Sequence, residues 1–486
     1  MKNSANINYK LLIAIVGLLI FSATEIFAQK YMFITTNSNE ARQNFIKGRD
    51  LFDKLHFQEA IDYFNEAIQT DPEFALAYLY CSLAEKRGTG FSEKYLNEAI
   101  DLKDNVTEGE REMILFAQAT YENNALAANK HINNLLKLKP EDERVQTWAG
   151  VYYFRNQDHK KTNTHLNTAY RLNNNYHPAV NLLGYNYMHM NKINKAEKMF
   201  KKYMALLPGY ANPYDSYGEF LLRQGRFGES IVNYQKALDY NPENSSSYKG
   251  LGDNYLFTGD FELARKNYQK YYDNVINDNQ KFHALALGAS VDLHENKPDK
   301  AMKSLDKYIE LAETLNKPFY KIYGNAYKGY VLTETGRPSE GLKYYQTAMD
   351  LVDTEKLSAQ IRENLRTTAY MWKYYALTAN DDLKDAETTK EQCRQRVSEE
   401  TNRNQWKMYN ALCGMMEIKK ANYDKAKIHL DESFDNPLTW YYTGLLWEKT
   451  GNERKAQKYY KKVANHYDNS FELGTLRQKA MAGLEK

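Results

Sequence analysis

His177–Tyr210 reads HPAVNLLGYNYMHMNKINKAEKMFKKYMALLPGY, and Ala211–Asn244 reads ANPYDSYGEFLLRQGRFGESIVNYQKALDYNPEN. Laid one over the other, these blocks share a glycine at the eighth place and a proline near the end. The register continues outward. Gly150, Gly184, Gly218 and Gly252 stand 34 residues apart; Tyr153, Tyr187 and Tyr255 keep the same beat, with Leu221 in the remaining slot, and Pro208 and Pro242 repeat it once more. A fixed period of this size marks a stacked array, in which each unit needs only its neighbours to bury its apolar face.

Within His177–Tyr210, Val180, Leu183, Gly184 and Tyr187 fall at i, i+3, i+4 and i+7, so the stretch from about Pro178 to Met190 is a first helix. Asn191 follows, a residue that tolerates left-handed backbone in a tight turn. Ala196, Phe200 and Tyr203 then mark a second helix, which Pro208 stops. Two amphipathic helices and a turn cannot cover both apolar faces alone, so the unit must stack.

This pattern resembles the tetratricopeptide repeat (TPR) family. That family has a bulky residue at position 4, an apolar and then a small residue at 7 and 8, an aromatic at 11, a small residue at 20, an aromatic at 24, alanine at 27 and proline at 32. The unit Ala211–Asn244 supplies Tyr214, Tyr217-Gly218, Leu221, Ser230, Tyr234, Ala237 and Pro242. The small residue at position 20 recurs as Ala60, Ser92, Ala128, Thr162, Ala196, Ser230, Ala264, Ala301, Gly341, Ala386, Ala426 and Ala456. A large side chain there would hold the two helices of a unit apart. About twelve units from Asn39 to His466 follow, with turns marked by Asn123, Asn191, Gly225, Gly259, Asn296, Gly336 and Gly451. The resemblance implies an all-α, right-handed superhelical solenoid of tandem helix–turn–helix units.

The expected organisation is a signal peptide at 1–28, a short linker at 29–38, a regular array at 39–280, a less regular one at 281–466, and a C-terminal capping helix at 467–486. From the eighth unit the spacing drifts from 34, which predicts longer helices. The stretch Thr354–Arg403 is longer and more polar, with Lys390 where an aromatic belongs. Thr107-Glu108-Gly109-Glu110 fits a capping box, and Asn212-Pro213 and Asn436-Pro437 each pair an N-cap residue with proline at the first helical position.

The amino terminus carries Lys2 and Lys10, then an apolar run from Leu11 to Phe21, then Ile26-Phe27-Ala28 before Gln29. Such a run is too short for a hydrocarbon core of about 30 Å and reads as a secretory signal cleaved near Ala28. No cysteine follows it to carry a lipid, and no later stretch is apolar enough to span a membrane. The expectation is an exported bacterial protein, periplasmic or secreted. The remaining composition is that of a soluble chain: 43% hydrophobic and 26% charged, with 65 basic against 62 acidic residues. Near balance, with no long basic run, argues against nucleic acid as a partner. Cys81, Cys393 and Cys413 are too few for a disulfide framework and read as small core residues.

Chemical signatures are decoys. Ser246-Ser247-Tyr248-Lys249 imitates SxxK and Lys449-Thr450-Gly451 imitates KTG, but the first opens a repeat helix, the second is an inter-helix turn, and no SDN element accompanies them. Gly88-Thr89-Gly90 does not continue into a phosphate-binding loop, and His294-Glu295 is not followed by a second histidine at metal-binding spacing. His189 and His294, near predicted helix ends, read as exposed or capping. No catalytic residue, cofactor or metal ligand is expected.

The family resemblance places ligands on the face lined by first helices. Carried onto the central units, its contact positions are Asn181, Tyr185 and His189, then Asn212, Asp215, Glu219 and Arg223, then Lys249, Asp253 and Phe257. This mixture of both charge signs with aromatic rings suits a protein or peptide segment. The function expected is a non-catalytic scaffold for such segments in envelope assembly, secretion or complex formation. The alternative is a soluble carbohydrate- or nutrient-binding component of an uptake system. Neither the partner nor the oligomeric state is encoded in a recognisable motif.

Overall fold

The computed structural model describes residues 32–87, 90–275, 277–398 and 402–485. Among them it contains 25 α-helices and no strand. The expected signal segment lies outside the described residues. The chain divides into two compact units, the first ending at Tyr217 and the second beginning at Gly218.

In the first unit the hairpins are α1 (Asn39–Asp53) with α2 (Phe57–Thr70), α3 (Ala75–Glu85) with α4 (Glu93–Asp101), α5 (Glu108–Tyr121) with α6 (Ala125–Leu138), α7 (Glu143–Arg155) with α8 (His159–Leu172), and α9 (His177–His189) with α10 (Ile193–Leu206). The division falls within α11 (Ala211–Arg223), whose hairpin mate is α12 (Phe227–Tyr240). The second unit continues with α13 (Ser245–Thr258) and α14 (Phe261–Asn274), α15 (Asp278–His294) and α16 (Pro298–Thr314), α17 (Pro318–Glu334) and α18 (Pro338–Thr354). It ends with α19 (Ala359–Ala379) and α20 (Leu383–Arg394), α21 (Arg403–Lys419) and α22 (Tyr423–Asp431), α23 (Pro437–Lys449) and α24 (Glu453–Ala464), and a lone α25 (Leu473–Leu484). Odd-numbered helices up to α23 are the first helices of their hairpins. Both units are all-α solenoids of consecutive hairpins.

The 34-residue beat has a steric cause. A Cβ on Gly184 would sit 2.8 Å from the Phe200 ring, and one on Gly252 would sit 2.6 Å from Tyr268. The glycine of the first helix is thus the socket for the large residue on the second, and both rings are buried. All twelve position-20 residues are buried as well, where the two helices cross.

Each hairpin turns through one residue with positive φ. The seven turn residues read from sequence all do so, with φ from 55° at Asn191 to 85° at Gly259. Leu55, Arg87, Gln157, Asp381 and Ala421 take the same conformation in the other five hairpins. Their β-carbons make this backbone costly, by about 1 kcal/mol or more each. The longer helices that the spacing predicts occur from α15 to α19, with 17 residues each in α15 to α18 and 21 in α19, whereas α20, α22, α23 and α24 return to 12, 9, 13 and 12. Lys390, in the aromatic's place on α20, turns its ammonium to the buried Glu417 of α21, 3.6 Å away.

The capping box at α5 forms, Thr107 N donating to Glu110 Oε2 over 3.0 Å. Asn436 caps α23 by accepting from Thr439 N at 3.0 Å, with Pro437 in the first turn. Asn212 does not cap: α11 starts one residue earlier, and the Asn212 amide donates instead to Tyr203 Oη at 2.8 Å. The segment before α1 is pinned along the hairpin ends of its own unit. Met32 N donates to Asp142 (2.9 Å) and Thr35 N to Glu110 (2.7 Å), and the Thr36 hydroxyl donates to Asp71. Cys81, Cys393 and Cys413 are free thiols in the core.

Candidate functional site

Successive first helices pack side by side, α1 on α3 and α7 on α9 in the first unit, α13 on α15 and α17 on α19 in the second. Each unit therefore presents a continuous first-helix face. The ten residues expected to line a groove divide between these two faces.

In the first unit, Asn181 on α9 is half-buried and its Oδ1 is shut from solvent with no hydrogen-bond partner. One turn earlier, His177 Nδ1 is buried and unpartnered too, and burial lowers its pKa. Tyr185 presents its ring edge to Phe200 at 5.1 Å, so it packs within its own hairpin. His189 is exposed, its ring stacked on His159 at 5.3 Å with an interplanar angle of 10°. Asn212 is held by Tyr203, and the charge of half-buried Asp215, after burial itself, helps push the Tyr203 phenol up to about 12.

The same face holds a charge cluster that the sequence does not advertise. Arg144 at the start of α7 meets Asp53 at the end of α1 across 2.5 Å and donates to Tyr176 Oη at 3.2 Å. Its guanidinium also lies over the Tyr176 ring, 4.9 Å from the centroid. Burial opposes the Arg144 charge, but Tyr176 and Asp53 outweigh it and hold the pKa above the usual range. Arg49, one turn before Asp53, goes the other way. Burial and the nearby Arg144 lower its pKa, and its Nε has no partner. These residues tie first helices three hairpins apart.

In the second unit, Glu219 and Arg223 pair within α11 at 3.0 Å, and Arg223 reaches on to Asp468 at 3.1 Å. Lys249 pairs with Asp253 at 2.7 Å; burial works against the ammonium, but Asp253 outweighs it and raises the pKa. Asp253 is 2% exposed and also accepts from Tyr268 Oη at 2.6 Å. Phe257 lies under the Arg477 guanidinium, 4.8 Å from its ring centroid, with the Tyr467 ring edge-on at 5.3 Å.

Arg223 and Phe257 thus meet one occupant, the chain's own C-terminal segment, and Asp253 reaches it through Tyr268. Its non-helical part, 467–472, touches four first helices. Asp468 meets α11 and Tyr467 meets α13. Asn469 takes a hydrogen bond from Ser290 of α15 (3.2 Å) and donates to Tyr268 Oη (3.0 Å). Phe471, 5% exposed, seats against Tyr327 of α17 with centroids 4.4 Å apart. Two groove hydroxyls reach its main chain: Ser290 donates to Ser470 O (3.4 Å) and Tyr330 to Glu472 O (3.2 Å). α25 then returns over the face and onto α24. The Gln478 amide donates to Leu293 O (2.7 Å) and His294 O (3.0 Å), carbonyls of the last turn of α15, and Lys479 meets the buried Glu334 side chain at 3.0 Å.

His294 corrects the expectation of an exposed or capping side chain. Its Nε2 is shut from solvent beside Phe257, and burial, reinforced by the Arg477 charge, lowers its pKa to about 3. Sequence reading missed the receivers Tyr268, Ser290 and Tyr330 and the segment they hold. The available signal was Leu473, Leu476 and Ala480, an apolar i, i+3, i+7 stripe.

Among the described residues no group of three His, Cys, Asp or Glu side chains is placed to hold a metal ion, and no helix is long and apolar enough to cross a membrane. Ser246 of the SxxK imitation is the second residue of α13, and Gly451 of the KTG imitation is a left-handed turn with φ 77°.

A search of curated protein sequences returns no match. Solved structures similar to the chain include PilW, a widely conserved type IV pilus biogenesis factor, at 16% identity, covering 44% of this chain and 96% of that one with a TM-score of 0.38. They also include a tetratricopeptide repeat protein from Parabacteroides merdae, at 15% identity over 63% of this chain and 98% of that one, TM-score 0.33. A third is YrrB, a TPR protein with an unusual peptide-binding site, at 15% identity over 37% and 91%, TM-score 0.28. Family models described as tetratricopeptide repeat match residues 219–279 and 439–470, segments that carry α12 to α14 and α23 to α24 of the array. Helix hairpins recurring around a glycine socket, matched by that family at both places, make this chain a tetratricopeptide repeat protein.

Proposed function

We propose that this chain is a non-catalytic, exported scaffold that binds protein or peptide segments on its first-helix faces and serves assembly, secretion or complex formation in a bacterial envelope. One observation carries the reading: the first-helix face of the second unit already holds a non-helical segment, residues 467–472, through side chains that reach both its side chains and its main chain. A face that grips a segment of its own chain in this way has the chemistry to grip one from elsewhere. The charged amino-terminal residues and the apolar run behind them support export. The first-unit face, with Asn181, Tyr185, His189, Asn212 and Asp215, is the surface proposed for a partner.

An affinity capture from envelope extract tests this. The bait is the mature chain from Gln29, beside a variant carrying His189→Glu and Asp215→Lys. Proteins retained by the native chain and lost by the variant place a partner on the first-unit face. Retention of nothing by either bait, together with saturable binding of one oligosaccharide on a glycan array, overturns the scaffold reading.

A further inference from the structure

The C-terminal segment meets its own groove as a ligand meets a receptor, and this identifies what else that groove accepts. The non-helical stretch Tyr467–Phe471 carries the recognition. Asn469, 7% exposed, both donates and accepts, to Tyr268 and from Ser290. Two residues on, the Phe471 ring fills an aromatic recess between Tyr327 and Tyr330. Hydroxyls of Ser290 and Tyr330 reach carbonyl oxygens of the bound chain, contacts indifferent to side-chain identity. The helix that follows sets Arg477 on Phe257 and Lys479 on Glu334. Asn-x-aromatic followed by a helix with cationic side chains is therefore the complement of this surface. Glu334 is the fixed charge of the surface, its side chain 5% exposed and met by the tail's ammonium and the hydroxyl of Tyr375.

We propose that the second-unit groove is a binding site for a segment of this chemistry on a partner protein, a non-helical Asn-x-aromatic stretch leading into a basic amphipathic helix, and that the C-terminal segment is its resident competitor. This rests on the scaffold reading and specifies the regulation of one of its two faces. In the closed state the groove is full, and a partner enters only as the tail leaves. Asn465 and His466 join α24 to the non-helical stretch with no regular structure, so the tail can swing out while the hairpins stay stacked.

The test keeps every residue present. A protease site is placed at Asn465–His466 in the full chain, which is then cleaved while folded, and a fluorescent synthetic peptide of residues 467–486 is added. The labelled peptide should exchange into the cleaved protein saturably, at one site per molecule, and should be excluded from the uncleaved protein. As competitors, unlabelled peptides with Phe471→Ala or Asn469→Ala should be weaker than the native peptide by about tenfold or more. Failure of the peptide to exchange over days, while helicity is retained, would make the tail a permanent part of the core and overturn the proposal. Equal uptake by the uncleaved chain would place the peptide elsewhere and overturn it as well. Either negative result leaves the first-unit face and its envelope capture untouched, so the two readings fail separately.

Discussion

The two units solve one problem in opposite ways. A face built from first helices exposes polar and aromatic side chains that need partners, and neither unit leaves its face bare. The first unit ties its own helices together with charge, Asp53 to Arg144 to Tyr176, and leaves Arg49, His177 and Asn181 with buried atoms that find no partner. The second lays a separate piece of chain over the face and meets several of its polar groups with that, while His294 Nε2, Asn254 Oδ1 and Arg477 Nη1 stay buried without a hydrogen-bond partner. One face is braced from within; the other is bridged by a segment of chain laid across it.

The largest expected effect comes from emptying the occupied face. Phe471→Ala removes a nearly buried ring from the Tyr327 recess and should destabilise the second unit by about 3–4 kcal/mol. Denaturant unfolding followed by signals from each unit would show the loss in the second alone. Breaking the brace of the first unit comes next. Asp53→Ala leaves Arg144 uncompensated; with Arg144 26% exposed, the cost should be about 2–3 kcal/mol, below that of a fully buried pair. Arg144→Met in the same chain should restore much of it, because the stranded charge is gone.

A third difference appears with acid. His294 is kept neutral in the fold with a pKa of about 3, far below its value in an unfolded chain. The unfolded state therefore takes up a proton first as pH falls, and stability is lost below about pH 6.5 and onward toward 3. At pH 5 the loss should be about 2 kcal/mol, and His294→Gln should flatten that slope for the second unit. A thermal melt series in pH of both chains measures it. The protonated ring would face Arg477, so the tail is where the strain arrives.

Most of the architecture was legible because it is local. The Gly184–Phe200 socket lies within one period, and so do the position-20 residues; the pattern that reveals them is also the contact they make. The turns were legible where glycine or asparagine occupies the left-handed position and opaque at Leu55, Arg87, Gln157 and Ala421, whose types carry no turn signal; Asp381, a type that tolerates this backbone, went unread. At those four the stacked hairpin imposes a backbone the residue does not choose. Leu55→Gly should accordingly gain stability, by less than about 1 kcal/mol after the added freedom of the unfolded chain, a small rise in melting temperature. The candidate site was legible only residue by residue. Asn212 was read as a cap and His294 as exposed because what holds them is set by neighbours in space. Nothing periodic joins Asn469 to Tyr268 across 201 positions or Lys479 to Glu334 across 145. A tail docking once, without repetition, leaves no rhythm in the chain.

The three thiols give each half of the molecule its own clock. Burial pushes Cys81 and Cys393 up to about 12, so neither is a nucleophile while the helices around it remain closed. An electrophilic probe added under native conditions reads how often a thiol's surroundings open, not how reactive its sulfur is. Cys81 times the first unit; Cys393 and Cys413 time the second. A reagent that modifies Cys393 faster after the tail is cut, with Cys81 keeping its pace, would record the loosening of one half against the stillness of the other within a single molecule. In an oxidising compartment the same closure keeps three sulfurs from being drawn into accidental cross-links.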